Sequence, residues 1–206
     1  MKKIALITMI FSLLFACGER PEKKVDQKTK QSNTINEDSN KPLPSADYSS
    51  LFNKYECDLT VAEVATALNI SESNVSISEY QSPGRCSFLI KGFGENALGQ
   101  ETTIQWKLEK VGKQQVNKEI KKYLKDQTNN ENVLGMGIEL SETGDSYIAK
   151  MPFSGRLAIM NGNYDSWMFM NYAPKGIYKS RTKEQHAELG EKMIALANYL
   201  LKKHKK

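Results

Sequence analysis

The chain has 206 residues, of which 39% are hydrophobic and 26% charged, a composition typical of one globular domain. It excludes collagen, disulfide-rich mini-proteins and multi-span membrane proteins. The net charge of +5 does not give the dense basic stripe of a nucleic-acid-binding protein, so no nucleic-acid partner is expected. Two histidines and three cysteines supply little material for a metal site, and we predict neither a metal nor a cofactor.

Residues 1–16 have the pattern of a secretory signal peptide. Lys2 and Lys3 precede thirteen uncharged residues, 4–16. Because a bilayer-spanning helix needs about 20 apolar residues, this segment is too short to cross a membrane.

The segment ends in Leu14-Phe15-Ala16-Cys17-Gly18, which resembles the lipobox of bacterial lipoproteins, with Phe15 where a small residue is usual. The resemblance implies cleavage before Cys17 and attachment of lipid to it, and thus a membrane anchor in the cell envelope. An Asp after the lipidated Cys commonly retains lipoproteins in the inner membrane, so Gly18 favours the outer membrane if two membranes are present. The alternative is an ordinary signal peptide with an incidental cysteine.

Residues 17–47 are predicted to be the lipidated Cys and a disordered tether, because the polar run from Glu19 to Asp47 cannot bury a core. Residues 48–206 are predicted to form a single globular domain. With Cys17 assigned to the lipid, Cys57 and Cys86 remain as a pair. In an oxidising compartment they could form one disulfide, and the alternative is two buried free thiols.

The domain begins with a helix that follows a capping-box pattern, Thr60-x-x-Glu63, and stops at Asn69. Alternating residues predict strands over 75–80, 85–91 and 102–111, with a glycine-spaced loop at 92–99. An amphipathic helix over 114–127 follows, with four apolar residues directed inward: Val116, Ile120, Tyr123 and Leu124.

Three more strands are predicted over 147–151, 156–160 and 164–172. Asn161-Gly162 is a hairpin-turn signal, because both residues tolerate positive φ. The last helix opens at Thr182, again with a capping box. The expected fold class is therefore α+β: a mostly antiparallel sheet of about six strands, covered by two or three amphipathic helices.

The run from Cys57 to Val64 reads C-D-L-T-V-A-E-V and resembles the C-x-L-T-x-x-E-V opening of small bacterial envelope lipoproteins, which are related to the PsbP-like α/β/α sandwich group. In that family a second Cys follows about thirty residues later, in a strand, where Cys86 stands here. The resemblance implies a sandwich fold and an envelope location. It carries no catalytic residue.

Candidate catalytic residues are few. Gly144-Asp145-Ser146 is similar to the nucleophile block of one esterase class, but no histidine at the spacing of that class would take the proton of Ser146. We read the block as a turn before a strand. His186 is expected to pack near the apolar stripe of the last helix, and His204 to lie in a frayed, lysine-rich end. We therefore predict no catalytic residue and no enzyme.

Two surfaces are candidates for binding. One is a lysine stripe on a single helix face, Lys118, Lys121, Lys122 and Lys125, with a solvated face as the alternative. The other is the aromatic strand that carries Tyr164, Trp167 and Tyr172, unless that strand is buried on both sides.

The leading hypothesis is a non-catalytic envelope lipoprotein that binds a partner protein or a small apolar ligand. The alternative is an inhibitor or immunity-type lipoprotein against an exported hydrolase, which a rigid protruding loop at 92–99 would favour. The third hypothesis is an envelope hydrolase that uses Ser146 or Asp145.

Overall fold

Seven antiparallel strands form one sheet in the computed structural model, which describes residues 46–129 and 135–206. The strands are β1 (Val75–Ile77), β2 (Arg85–Glu95), β3 (Glu101–Lys110), β4 (Gly137–Leu140), β5 (Tyr147–Met151), β6 (Arg156–Met160) and β7 (Ser166–Asn171). Their order across the sheet is β1-β2-β3-β7-β6-β5-β4. The predicted α+β class is confirmed, with one strand more than expected.

Helices cover both faces of the sheet. They are α1 (Ser49–Phe52), α2 (Val61–Leu68), α3 (Lys113–Thr128) and α4 (Lys183–His204). Side chains of α1, α2 and α4 share the larger apolar core with one sheet face, whereas Val116 and Ile120 of α3 pack on the other. In β6, Leu157 belongs to the first core and Ala158 to the second, as expected for a strand buried on both sides.

Both predicted capping boxes are present. The Thr60 side chain accepts from the backbone N–H of Glu63, and that of Thr182 accepts from the backbone N–H of Gln185. Asn69 ends α2 in the left-handed conformation, with φ of 51°. Local side-chain chemistry therefore sets the beginnings of α2 and α4.

The prediction of a loop over residues 92–99 is wrong for residues 92–95. Strand β2 continues to Glu95, with an irregular register between Ile90 and Glu95, and the turn proper begins at Asn96. A Cβ at Gly94 would lie 2.8 Å from the backbone nitrogen of Arg181, so the glycine permits a close approach of two backbones.

The expected hairpin turn at Asn161-Gly162 is corrected, and two short elements were not predicted. Asn161 and Gly162 do not adopt positive φ, and β6 and β7 are joined by a five-residue connection, 161–165, instead of a two-residue turn. Strand β4 and helix α1 were not predicted, because each has only four residues and too few to show a period.

Cys57 and Cys86 lie at disulfide distance, with Cα atoms 5.1 Å apart. Cys86 is fully buried in β2, whereas Cys57 precedes α2 and is half-buried. The Tyr55 hydroxyl lies 3.2 Å from Cys86 Sγ and accepts a hydrogen bond of 2.8 Å from Trp106 Nε1. The pair thus ties the segment before α2 to the centre of the larger core.

Within the described residues, no helix has both the length and the apolar character that a membrane crossing needs.

Replacing Cys57 by Ala is expected to lower the free energy of unfolding by about 3–4 kcal/mol, because the bond closes a loop with a sequence separation of 29. Urea unfolding followed by tryptophan fluorescence measures the change. Reductant should destabilise the wild-type chain to the same extent and leave the variant unaffected. Equal free energies of unfolding for the wild type and Cys57→Ala in the absence of reductant would contradict the prediction.

Candidate functional site at the apical end of the sheet

The connections between strands fall at two opposite ends of the sheet, because all neighbouring strands are antiparallel. The β2–β3 turn, the β5–β6 connection and the chain from β7 to α4 lie at one end, which we name the apical end. The β4–β5 and β6–β7 connections lie at the other end, the basal end.

Three large apolar side chains are exposed at the apical end. Leu98 of the β2–β3 turn is 82% exposed, Phe153 of the β5–β6 connection 71%, and Ile177 between β7 and α4 52%. These connections span five neighbouring strands, a width of about 20 Å at the usual strand spacing. The presence of three such side chains at one end of the domain makes that end a candidate interaction surface.

The turn that carries Leu98 is tied together by Asn96. Its side-chain oxygen accepts from the backbone N–H groups of Leu98 and Gln100, at 2.9 and 3.0 Å. Its amide nitrogen donates to Gln100 Oε1 at 2.8 Å, and the Gly99 N–H donates to the Asn96 carbonyl at 3.1 Å. The tip is therefore a preorganised turn, with Leu98 directed into solvent.

Arg181 fastens the base of this hairpin to the rest of the domain. The side chain is only 1% exposed. Its Nε donates to the carbonyl of Phe93 in β2 at 2.8 Å, and its Nη1 donates to the carbonyls of Tyr172 and Ala173 after β7, both at 3.0 Å. Nη2 donates to Thr102 Oγ1 in β3 at 2.9 Å. One guanidinium thus joins three strands where they reach the apical end.

The environment of Arg181 is neutral. Its hydrogen bonds in the described part of the chain go to carbonyl, hydroxyl and imidazole groups, and the Tyr178 ring centroid lies 4.4 Å from its Cζ. Burial lowers the pKa of the guanidinium, while nearby Tyr178 and Tyr172 act in the opposite direction. Since Arg keeps its charge in proteins, the buried cation is stabilised by dipoles and an aromatic face.

His186 connects the Phe153 segment to the same cluster. Its Nε2 lies 2.7 Å from the Pro152 carbonyl, which can only accept, so Nε2 carries a proton. Nδ1 lies 3.3 Å from Arg181 Nη1 and is left as the acceptor. Further contacts come from Ser180, whose Oγ accepts from the Glu95 N–H at 2.7 Å.

A second polar cluster lies at the basal end, around Asp145. This carboxylate is 2% exposed and accepts from the Tyr48 and Thr143 hydroxyls, at 2.8 and 2.7 Å, with Lys205 Nζ at 3.2 Å. Burial raises the pKa of Asp145, but these hydrogen bonds and the Lys205 charge outweigh it and hold that pKa below its ordinary value. Through Tyr48 and Lys205, the cluster links the first described residues to the C-terminal end of α4.

His204 does not lie in a frayed end, contrary to expectation. It is 8% exposed, its Nδ1 lies 3.0 Å from Ser50 Oγ, and its Nε2 lies 3.5 Å from Asp58 Oδ2. Burial lowers the pKa of His204, although Asp58 opposes the shift. At the same end the Lys206 N–H donates to the Asp47 carbonyl at 3.1 Å. Helix α4 is therefore packed to its last turn.

Ser146 and Asp145, the two candidate residues of the hydrolase alternative, both lie in the basal cluster. Ser146 is fully buried, and its hydroxyl interacts with Asn161 Nδ2 at 3.1 Å and Asp145 Oδ1 at 3.5 Å. The hydrogen-bond partners described for Asp145 are hydroxyl and ammonium groups, so it does not orient a histidine base. A buried serine is closed to substrate, and both side chains belong to the basal cluster.

The three aromatic residues predicted as a binding surface differ in their exposure. Tyr172 is 3% exposed, so its assignment to a surface is wrong. Tyr164 is half-buried, stacks on Phe52 with ring centroids 5.0 Å apart, and accepts from the Tyr48 N–H. Trp167 is half-buried beside α3 and donates to Glu109 Oε2 at 3.1 Å. One face of β7 is buried and the other half-exposed.

The lysine stripe forms as the helical spacing predicts. Lys118, Lys121, Lys122 and Lys125 are all exposed on α3. Cys17 lies outside the described residues.

Two observations in the described chain bear on a metal or a small ligand. No group of three or more His, Cys, Asp or Glu side chains in residues 46–129 and 135–206 is placed to hold a metal ion. A cavity of about 470 Å³ opens beside Tyr164, but Lys110, Lys113 and Asp165 line it, so it is a polar depression.

The sequence indicated the loop at 92–99 as a candidate, but it did not single out Leu98, Phe153, Ile177 or Arg181, for two reasons. Leu98, Phe153 and Ile177 are single apolar residues in turns, outside any periodic pattern. Their signal is a large apolar side chain next to glycine or proline: Leu98-Gly99, Pro152-Phe153 and Gly176-Ile177. Arg181 has no signal, because a buried arginine and an exposed one look alike in a sequence.

Comparison of the chain with protein-family models, with curated proteins and with solved structures finds no match. The resemblance to PsbP-like lipoproteins therefore remains a prediction from the motif at Cys57.

Replacing Arg181 by Met is expected to lower the free energy of unfolding by about 3 kcal/mol, because several buried carbonyls lose their donor. Amide hydrogen exchange should also quicken selectively in the β2–β3 hairpin. The matched control is Arg156→Met, which removes an exposed arginine over Phe169 and should cost less than about 1 kcal/mol. Equal effects of the two variants would refute the role given to Arg181.

The basal cluster predicts a pH dependence. The pKa of Asp145 in the folded chain is lowered from 3.8, so its stabilisation is fully present above that pH and is lost as the pH falls through the folded value. We expect Asp145→Asn to be less stable than wild type by about 1–2 kcal/mol at pH 7. The difference should shrink below about pH 4.

Thermal unfolding from pH 2 to pH 7 measures this difference. The control is Asp126→Asn on the flank of α3, which removes the same charge outside the cluster. A difference between wild type and Asp145→Asn that stays constant with pH would contradict the prediction.

Proposed function

We propose that this chain is a non-catalytic, lipid-anchored protein of the bacterial cell envelope that binds a partner protein through its apical end. The observation that carries the proposal is the exposure of Leu98, Phe153 and Ile177 at one end of the sheet. Large apolar side chains in such a group stabilise a complex when a partner removes them from water.

The anchor is supported by the lipobox-like sequence that ends at Cys17. The described chain begins at the basal end, where Tyr48 contacts Asp145. A chain held through Cys17 is therefore attached at its basal end, and its apical end is the one farthest from the attachment point. That arrangement favours another envelope protein as the partner, and Gly18 favours the outer membrane where two membranes are present.

A second candidate is an inhibitor or immunity-type lipoprotein against an exported hydrolase. The specific observation in its favour is the β2–β3 turn, which is tied by Asn96, fastened by Arg181 and tipped by the exposed Leu98. A preorganised convex loop loses little conformational entropy on binding, and its shape fits a concave active-site cleft. In this version the partner is a hydrolase, and the loop blocks its substrate.

The test is chemical cross-linking in intact envelopes, comparing wild type with Leu98→Glu. Introducing a charge into the apolar contact should reduce the cross-linked partner at least tenfold, on the scale of a lost hot spot. Ile77→Glu is the matched control, because Ile77 is 56% exposed in β1, away from the apical end. It should leave the cross-link unchanged.

The same experiment with Cys17→Ser separates the anchor from the surface. Without lipid the chain should leave the membrane fraction while its apical end remains intact. Cross-linking that survives Leu98→Glu, or falls equally with Ile77→Glu, would overturn the apical site. Identification of the cross-linked protein as a hydrolase whose activity falls on binding would favour the inhibitor.

A further inference from the structure

The outward face of α3 carries a compact group of positive charges, which we name the lysine ridge: Lys118, Lys121, Lys122 and Lys125. At 100° per residue these four positions fall within about 100° of arc. Val116 and Ile120, which are 0% and 7% exposed, mark the opposite side of the helix, where α3 packs on the sheet. The ridge therefore points directly away from the body of the protein.

The charges of the ridge are not neutralised by the surrounding residues that the structure describes. No salt bridge to these four lysines occurs within residues 46–129 and 135–206, whereas three lysines of the sheet, Lys107, Lys110 and Lys150, each pair with a carboxylate. The two acidic residues of the helix, Glu119 and Asp126, are half-buried on its flank, and Glu119 accepts from Gln115.

The helix is fixed in its orientation, so the ridge is a preformed surface. Its apolar side is used in the core, and Asn117 Nδ2 further ties it to the Gly162 carbonyl at 3.0 Å. Insertion of an apolar face into a bilayer is therefore excluded for α3. What the ridge presents is charge alone, over about 10 Å of helix length.

We propose that the lysine ridge binds the surface of a membrane that contains anionic phospholipid. Groups of four to eight basic residues on a helix are sufficient for such binding, and each contributes while it remains within a Debye length of the surface. The lysine ridge is positively charged and the anionic lipid surface is negatively charged, so the two surfaces attract each other. This surface is separate from the apical end, and the inference does not depend on a partner protein.

The experiment is vesicle flotation with the chain from residue 17 onwards and Cys17→Ser, because the preceding apolar segment would bind lipid by itself. All residues that the structure describes are retained. Vesicles of phosphatidylcholine alone are compared with vesicles that contain 30% phosphatidylglycerol, a composition chosen as roughly that of strongly anionic membranes. We expect binding only to the anionic vesicles, and its loss when salt is raised to about 0.5 M.

The decisive variant replaces the four ridge lysines by Gln. Each charge should contribute about fivefold, so the loss of four charges should lower partitioning by roughly 600-fold. The matched control replaces four exposed lysines elsewhere by Gln: Lys175, Lys179, Lys183 and Lys206. Its net charge is therefore the same as that of the ridge variant. It should retain most of the binding. Circular dichroism checks that both variants remain folded.

Three outcomes would overturn the proposal: equal binding of the wild type to both kinds of vesicle, equal loss in the two quadruple variants, or binding that does not respond to salt. A loss of anionic binding confined to the ridge variant would support it.

Discussion

The apical half of the domain depends on one buried cation. Arg181 is 1% exposed and lies among backbone carbonyls from β2 and from the chain after β7, with the Thr102 hydroxyl and His186 Nδ1 as further acceptors. A charge held by dipoles alone is stable only if those dipoles stay in place. The guanidinium thus constrains the strand ends that surround it, and the backbone that carries Leu98 and Ile177 leads directly from these strand ends.

The two ends of the sheet use polar chemistry differently. At the basal end an anion, Asp145, receives hydroxyl and ammonium donors from both termini of the described chain. At the apical end a cation donates to carbonyls, and the side chains left over are apolar and exposed. The basal cluster closes the fold, whereas the apical cluster stiffens a surface. The two ends of the molecule therefore differ in charge and in the side chains that they expose.

The periodic parts of the fold could be predicted from the sequence. The helices that begin after Thr60 and Thr182 and the alternation along β3 follow from capping chemistry and from burial on one face. Strand β4 could not be predicted, because only one of its four residues, Ile138, is fully buried, and one buried residue shows no alternation.

Contacts between residues far apart in the sequence could not be predicted either. Arg181 and Phe93 are 88 residues apart, and no local pattern connects them. His204 was expected to fray because lysines surround it, but the buried Leu200 and Leu201 carry α4 on into the core. The candidate surface lay in single apolar residues within turns, where periodic analysis gives no signal.

The hydrogen bond between Lys206 and Asp47 places the end of the chain beside the beginning of the described body. A short linker could therefore join these two points, and new termini could be opened elsewhere, in a circularly permuted protein. The same proximity means that a fluorophore or affinity handle added after Lys206 would emerge at the basal end. It would leave Leu98 and its neighbours unobstructed for single-molecule or surface-capture measurements.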